Sequence, residues 1–177
     1  MRIINTPVSR AVIEELTAGE MVHISGQVYT ARDAAHKRLV EMMQQGQEAP
    51  FDFAGQIVYY AGPCPAKPGR VIGSVGPTTS GRMDAYSPFL IERGLTAMIG
   101  KGLRDQAVID SIVKNKGVYF AAIGGAAALM SQCVTAVEII AFEDLGPEAI
   151  RRLTVEKLPV VVAVDSRGRD VYKRAAL

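Results

Sequence analysis

Short runs with a two-residue apolar period alternate with runs at helical spacing along the whole of this sequence, which restricts the chain to mixed α/β architectures. In Met21 to Tyr29, Val22, Ile24, Gly26 and Val28 share one face while His23, Ser25 and Gln27 share the other, the pattern of a strand with one polar side. Ala35, Leu39, Val40 and Met43 then recur at helical spacing within residues Ala31 to Gln45, and Gly46 and Pro50 end that helix. Further strands are expected at Ile57 to Ala61, Val71 to Val75, Leu95 to Ile99, Val118 to Ile123, Val134 to Phe142 and Leu158 to Val164. Helices are expected over Met83 to Arg93 and Arg104 to Lys116, from Ala126, and after Pro147, a residue suited to a first helical turn. Alternation of this kind ordinarily gives a parallel, doubly wound sheet. The half-polar first strand argues for partial exposure instead. The excursion Gly62 to Arg70, with three prolines and two glycines, cannot lie inside a regular element. Because composition does not shift across it, it reads as an internal loop, and residues 1–177 read as a single domain.

Composition removes several classes of function. A hydrophobic share of 49% and a charged share of 21% describe an ordinary globular chain. The net charge of +2 is spread with no run of five like charges, so there is no electrostatic footprint for nucleic acid. The apolar stretches are too short or too glycine-rich to span a membrane, and Met1-Arg2-Ile3-Ile4 opens no signal peptide, so a cytoplasmic protein is expected. The two cysteines, Cys64 and Cys133, lack any metal-ligand spacing and read as ordinary reduced thiols.

Candidate chemistry concentrates at turns. In Ile72 to Asp84, three glycines and a proline bend the backbone, while Ser74, Thr78, Thr79, Ser80 and Arg82 offer donors to an anion. The same segment also reads as a strand-to-helix turn in which Thr79 or Ser80 caps the next helix. Arg32 and Arg82 both sit at helix starts, Arg32 two residues after a possible N-cap at Thr30. A cation there opposes the helix dipole unless an anion is shared or an Asp33 or Asp84 salt bridge compensates. Two such arginines favour a dicarboxylate site. Lys101, between Gly100 and Gly102, ends a strand where α/β sites usually lie, although an exposed loop lysine fits equally; the flanking residues fail the P-loop pattern. Gly124-Gly125 reads as tight packing or a binding turn. His23 and His36 read as surface histidines, with a pocket-facing His36, one helical turn after Arg32, as the alternative.

Thr30-Ala31-Arg32-Asp33-Ala34-Ala35-His36-Lys37-Arg38, Gly76-Pro77-Thr78-Thr79-Ser80-Gly81-Arg82-Met83-Asp84, Gly100-Lys101-Gly102 and Ile123-Gly124-Gly125-Ala126-Ala127, in this order, resemble the β subunit or C-terminal domain of class I fumarases and L-tartrate dehydratases. The resemblance runs from about Val8 to Tyr172. It implies a swivelling β/β/α domain, a mixed sheet with flanking helices, in place of the doubly wound sheet. It further implies a [4Fe-4S] cluster held by cysteines of a partner α subunit and not by this chain, a small dicarboxylate substrate and an α2β2 hetero-oligomer. By resemblance, Arg32, Arg82 and Lys101 grip substrate carboxylates and Thr78 removes the C3 proton. The expected reaction is reversible hydration of fumarate to L-malate, with tartrate dehydration as the alternative and a non-catalytic dicarboxylate- or phosphate-binding module as a third.

Overall fold

The computed structural model describes residues 1–123 and 127–174. Its strands are β1 (Arg2–Asn5), β2 (Met21–Thr30), β3 (Ile57–Tyr59), β4 (Ala97–Gly100), β5 (Val118–Ala122), β6 (Val134–Ala141) and β7 (Ile150–Val164). The helices are α1 (Arg10–Glu15), α2 (Asp33–Gln44), α3 (Ser87–Glu92), α4 (Gln106–Asn115), α5 (Ala127–Gln132) and α6 (Val171–Arg174). A 3-10 turn occupies Ser80–Met83. The fold is α/β, with one mixed seven-stranded sheet in the order β1-β2-β3-β4-β5-β7-β6.

The doubly wound expectation fails at β7. Strands β1 to β5 pair in parallel, but β7 runs antiparallel to β2, β5 and β6. Because β7 spans 15 residues, its first part pairs with β6 and β2 and its last part with β2 and β5. The sheet therefore closes on itself through β2-β3-β4-β5-β7, with β1 beside β2 and β6 beside β7. Closure pairs β2 to β5 and β7 on both sides and leaves the outer strands β1 and β6 as edges.

The parallel strands β3, β4 and β5 are buried on both faces, which explains their unbroken apolar runs. Ile57 and Tyr59 of β3, Ile99 of β4 and Phe120 of β5 face one core with Val22, Ile24, Ile13 and Leu16. Their neighbours Val58, Met98 and Tyr119 face a second core with Leu39 of α2, Leu90 of α3 and Ile112 of α4. The alternation in β2 survives a bulge between Ile24 and Gly26. Gly26 has φ +114°, and a Cβ there would stand 2.4 Å from the Thr6 side-chain oxygen, so only glycine fits without displacing the chain.

Several local expectations give way. Val71 to Val75 forms no strand; Ile72 and Val75 are buried, and the segment is tied by the Cys64 amide to the Ser74 carbonyl at 2.9 Å and by the Tyr59 hydroxyl to the Val75 carbonyl at 2.6 Å. The helix expected over Met83 to Arg93 is split into the 3-10 turn and the shorter α3. Pro147 starts no helix; it lies inside a 3-10 stretch, Glu143–Glu148, and the chain then enters β7 eight residues earlier than the apolar pattern suggests. That early half mixes buried Ile150, Leu153 and Val155 with half-buried or exposed polar groups, so it carries no continuous apolar run. Gly124-Gly125 lies outside the described residues.

Candidate active site

The C-terminal ends of β2, β3 and β4 lie side by side, with Thr30 opposite Tyr59 and Tyr59 opposite Ile99. All four residues expected to act emerge at this edge, the usual place for a site on parallel strands. Arg32 follows β2 and caps α2. Lys101 follows β4, exposed. Thr78 and Arg82 arrive on the returning segment, which is fastened to both neighbouring strand ends. The Thr78 amide donates to the Tyr60 carbonyl at 2.6 Å just past β3, and the Ser80 amide donates to the Lys101 carbonyl at 2.8 Å. Thr78 is half-buried there.

The local capping differs from the sequence expectation. The N-cap of α2 is Arg32, not Thr30, and its side chain makes no capping bond; the Glu148 carboxylate instead accepts the Ala34 amide of the first turn at 3.2 Å. Thr30, fully buried, instead accepts the Arg151 amide of β7 through its hydroxyl at 3.2 Å. Thr79 precedes the 3-10 turn without a side-chain cap, and the Ser80 hydroxyl is used elsewhere, 2.8 Å from that of Tyr119. Neither hydroxyl caps the helix, so the segment's shape serves its position between strand ends.

The cations are held lightly. Arg82 reaches Asp33 in the first turn of α2, with Nε 2.7 Å and Nη2 2.6 Å from Oδ2. Its side chain is 55% exposed, so this pair contributes less than about 1 kcal/mol and the guanidinium is available to a ligand. Arg32 lies along Gly62, where a Cβ would come within 3.0 Å of its Cδ. Its Nε is buried, 4.0 Å from Glu148 and without a hydrogen-bond partner among the described residues. A buried donor without a partner is costly, and an anionic ligand beside Arg32 would satisfy it. Arg82 and Arg32 thus flank the start of α2, where the Glu148 carboxylate already takes the Ala34 amide at 3.2 Å, so the two cations supply the field for a ligand anion.

His36 corrects the expectation of a surface histidine. It is fully buried, its Nδ1 is 2.8 Å from the Arg32 carbonyl, and its Nε2 has no partner among the described residues. Since a carbonyl only accepts, Nδ1 carries the proton and donates. The imidazole packs edge-on against Tyr60, ring centroids 5.3 Å apart. Burial, reinforced by the Arg104 charge, pushes its pKa down to about 4 although the Arg32 carbonyl acts the other way. Between pH 6.5 and about 4 the unfolded chain binds a proton that the folded chain refuses. Stability therefore falls as pH falls through that window, by about 3 kcal/mol from this group. Replacing His36 by Gln is expected to flatten that acid limb in urea titrations at stepped pH; an unaltered slope would refute the assignment.

Sequence reasoning missed Arg104 and Asp84 as a buried pair, Nε to Oδ1 at 2.7 Å, although Asp84 had been considered as a partner for Arg82. Burial of both could not be read locally, since their partners come from four different segments. The two cysteines are free, Cys64 exposed and Cys133 half-buried, with burial pushing the Cys133 thiol up. Among the described residues no three His, Cys, Asp or Glu side chains gather to hold a metal ion. This chain's residues do not fit a three-thiolate cluster site.

The profile of the family described as "Fumarase C-terminus" matches residues 2–175. The protein described as "Putative L(+)-tartrate dehydratase subunit beta" of Methanocaldococcus jannaschii is 38% identical over 167 residues, covering 91% of this chain and 86% of its own length. "Fumarate hydratase class I, anaerobic" of Escherichia coli K12 is 36% identical over 166 residues, 93% of this chain but 30% of that protein. "Fumarate hydratase 2" of Leishmania major is also 36% identical, over 93% of this chain and 29% of that protein. The chain thus spans under a third of these fumarate hydratases and most of the archaeal subunit. On a match covering nearly its whole length, the chain belongs to the fumarase C-terminus family.

Proposed function

We propose that residues 1–177 act as one domain, the β subunit of an iron-sulfur hydro-lyase that adds water to fumarate to give L-malate, reversibly. The observation that carries this is the convergence of Arg32, Thr78, Arg82 and Lys101 at adjacent parallel strand ends, in a chain of this family. Three cations at one edge suit a substrate with two carboxylates. In the dehydration direction the Thr78 side chain, as its alkoxide, takes the C3 proton and becomes the hydroxyl; in hydration that hydroxyl gives its proton to C3 and returns to the alkoxide. A threonine alkoxide is a strong base that water alone would not yield at neutral pH, so the Arg82 and Lys101 charges must stabilise it. The [4Fe-4S] cluster belongs to the partner α subunit, and no step on this chain passes through it.

The partner is an α subunit in an α2β2 assembly in the cytoplasm, serving the tricarboxylic acid cycle. No described helix is long and apolar enough to cross a membrane. Leu103, Ile123 and Leu129, exposed apolar groups on the segments leaving β4 and β5, provide surface for that partner near the site. Tartrate dehydration is the second reading, favoured by the archaeal relative whose length this chain nearly matches.

The test is co-expression with the cluster-carrying chain, oxygen-free purification, and assay of each chain alone and together on fumarate, malate and tartrate. Turnover of fumarate only by the pair supports the proposal; turnover of tartrate alone selects the second reading; no complex would overturn both. Within the active pair, Arg32→Ala or Arg82→Ala is expected to raise KM by roughly 10- to 100-fold, each losing a charge-assisted contact. Unchanged kinetics would remove that arginine from the site.

A further inference from the structure

Arg104 is used by none of the chemistry above, yet its side chain has no exposed surface. Its Nε donates to Asp84 Oδ1 at 2.7 Å, its Nη2 to Ser87 Oγ at 2.7 Å and to the Tyr60 hydroxyl at 3.2 Å, and its Nη1 faces Met98 Sδ at 3.6 Å. The guanidinium carbon is 5.2 Å from the Tyr60 ring centroid and 4.9 Å from that of Tyr119. A buried ion pair is weak ground for stability, since apolar residues of the same volume often serve as well. What such a pair can do is hold particular segments in one arrangement, and the groups around Arg104 are those that hold the site.

The Tyr60 carbonyl accepts the Thr78 amide at 2.6 Å. Asp84 stands two residues beyond Arg82, and its second oxygen accepts the Asp105 amide at 2.9 Å. Tyr119, whose phenol burial keeps protonated, donates to the Gly102 carbonyl at 2.8 Å and lies 2.8 Å from the Ser80 hydroxyl. Ser80 in turn donates its amide to Lys101. One guanidinium therefore touches the side chains of three residues, Tyr60, Asp84 and Tyr119, which through the Tyr60 backbone carbonyl and the side chains of the other two fasten Thr78, the Arg82 turn and the Lys101 loop. Gly100 keeps the joint closed, because a Cβ there would overlap the Ser80 hydroxyl at 1.9 Å.

We propose that Arg104 is a positioning residue for the reaction, locking the segment that bears Thr78 and Arg82 against the loop that bears Lys101. The inference rests on the hydro-lyase reading for the roles of those three residues. Lysine cannot substitute, because only the planar fork reaches Asp84, Ser87 and Tyr60 together. Arg32 lies outside this brace, anchored by His36 and Gly62.

The experiment uses the two-chain complex carrying Arg104→Lys, with Ile13→Ala as a control for lost stability, since Ile13 packs in the other core. Arg104→Lys is expected to assemble, with kcat lower by ~10²-fold and KM higher by several-fold, as displacement of catalytic groups by about 1 Å produces. Lost folding alone would lower apparent kcat and leave KM unchanged, the behaviour expected of the control per mole of enzyme. Hydrogen exchange on the full chain without substrate supplies the independent readout: the Thr78 and Ser80 amides should exchange roughly 10-fold faster or more in the variant. Should Arg104→Lys fail to fold, Ser87→Ala, which removes one acceptor of the fork, is expected to show the same pattern at roughly 3-fold. Unchanged exchange at Thr78 and Ser80, or unchanged KM and kcat in an active complex, would overturn the proposal. A wild-type complex inactive on every diacid, with exchange still accelerated by Arg104→Lys, would sink the hydro-lyase reading and leave the brace standing.

Discussion

Thr78→Ala in the assembled complex is expected to lower kcat by at least ~10³-fold while KM changes by no more than a few-fold. Thr78 is held by its backbone, through the 2.6 Å bond from its amide to Tyr60, so removing the hydroxyl leaves the segment's course intact. The Arg82 guanidinium, four residues on, and the Lys101 chain, bonded to Ser80, stay where they are, so the carboxylate contacts proposed for them are kept. What disappears is the only group proposed to exchange a proton with C3, so the loss falls on the chemical step. Thr78→Ser retains a hydroxyl and should recover much of the rate. Stopped assays of malate dehydration in both variants decide the matter: a Thr78→Ala kcat within tenfold of wild type would assign the base elsewhere.

Asp84→Ala is expected to produce the largest loss of stability of any single change at the site, about 3 to 5 kcal/mol in urea unfolding. The Arg104 side chain is wholly enclosed and that of Asp84 is 10% exposed, so the deletion strands a cation whose remaining partners are neutral. It also deprives the Asp105 amide of its acceptor, and Asp105 caps α4 through its bond from Val108 at 3.0 Å. Breaking the exposed Arg10–Glu14 pair, with side chains 69% and 45% exposed, provides the comparison and should cost less than about 1 kcal/mol. A loss below about 1 kcal/mol for Asp84→Ala would mean that water reaches Arg104.

The candidate site was legible where chemistry follows from local rules. Arginine at a helix start, lysine between glycines at a strand end, and a Gly-Pro-Thr-Thr-Ser-Gly turn each carry their own physical signal, and the structure draws all of them to one edge. The cap at Thr30 was misjudged because its hydroxyl answers to Arg151, distant in sequence. His36 was misplaced for a similar reason. Its neighbours on α2 are polar enough to suggest solvent, but α2 lays that face on Tyr60.

What the sequence alone determined is the α/β class, the positions of most strands and helices, and the turns that bear the candidate residues, whose individual roles came only from the family resemblance. These follow from periodicities of two and 3.6 residues and from glycine, proline and charge at turns, all properties of neighbours along the chain. It also determined that two cysteines are too few for a cluster with three thiolate ligands. Only the tertiary structure decided the direction of β7, the closure of the sheet through it, and the interior position of His36, Asp84 and Arg104. A strand has the same alternation whichever way its partner runs, and a charged residue carries no local mark of burial. Both are settled by pairings between residues far apart in sequence, such as Met21 with Val161 and Asp84 with Arg104, which exist only once the chain has folded.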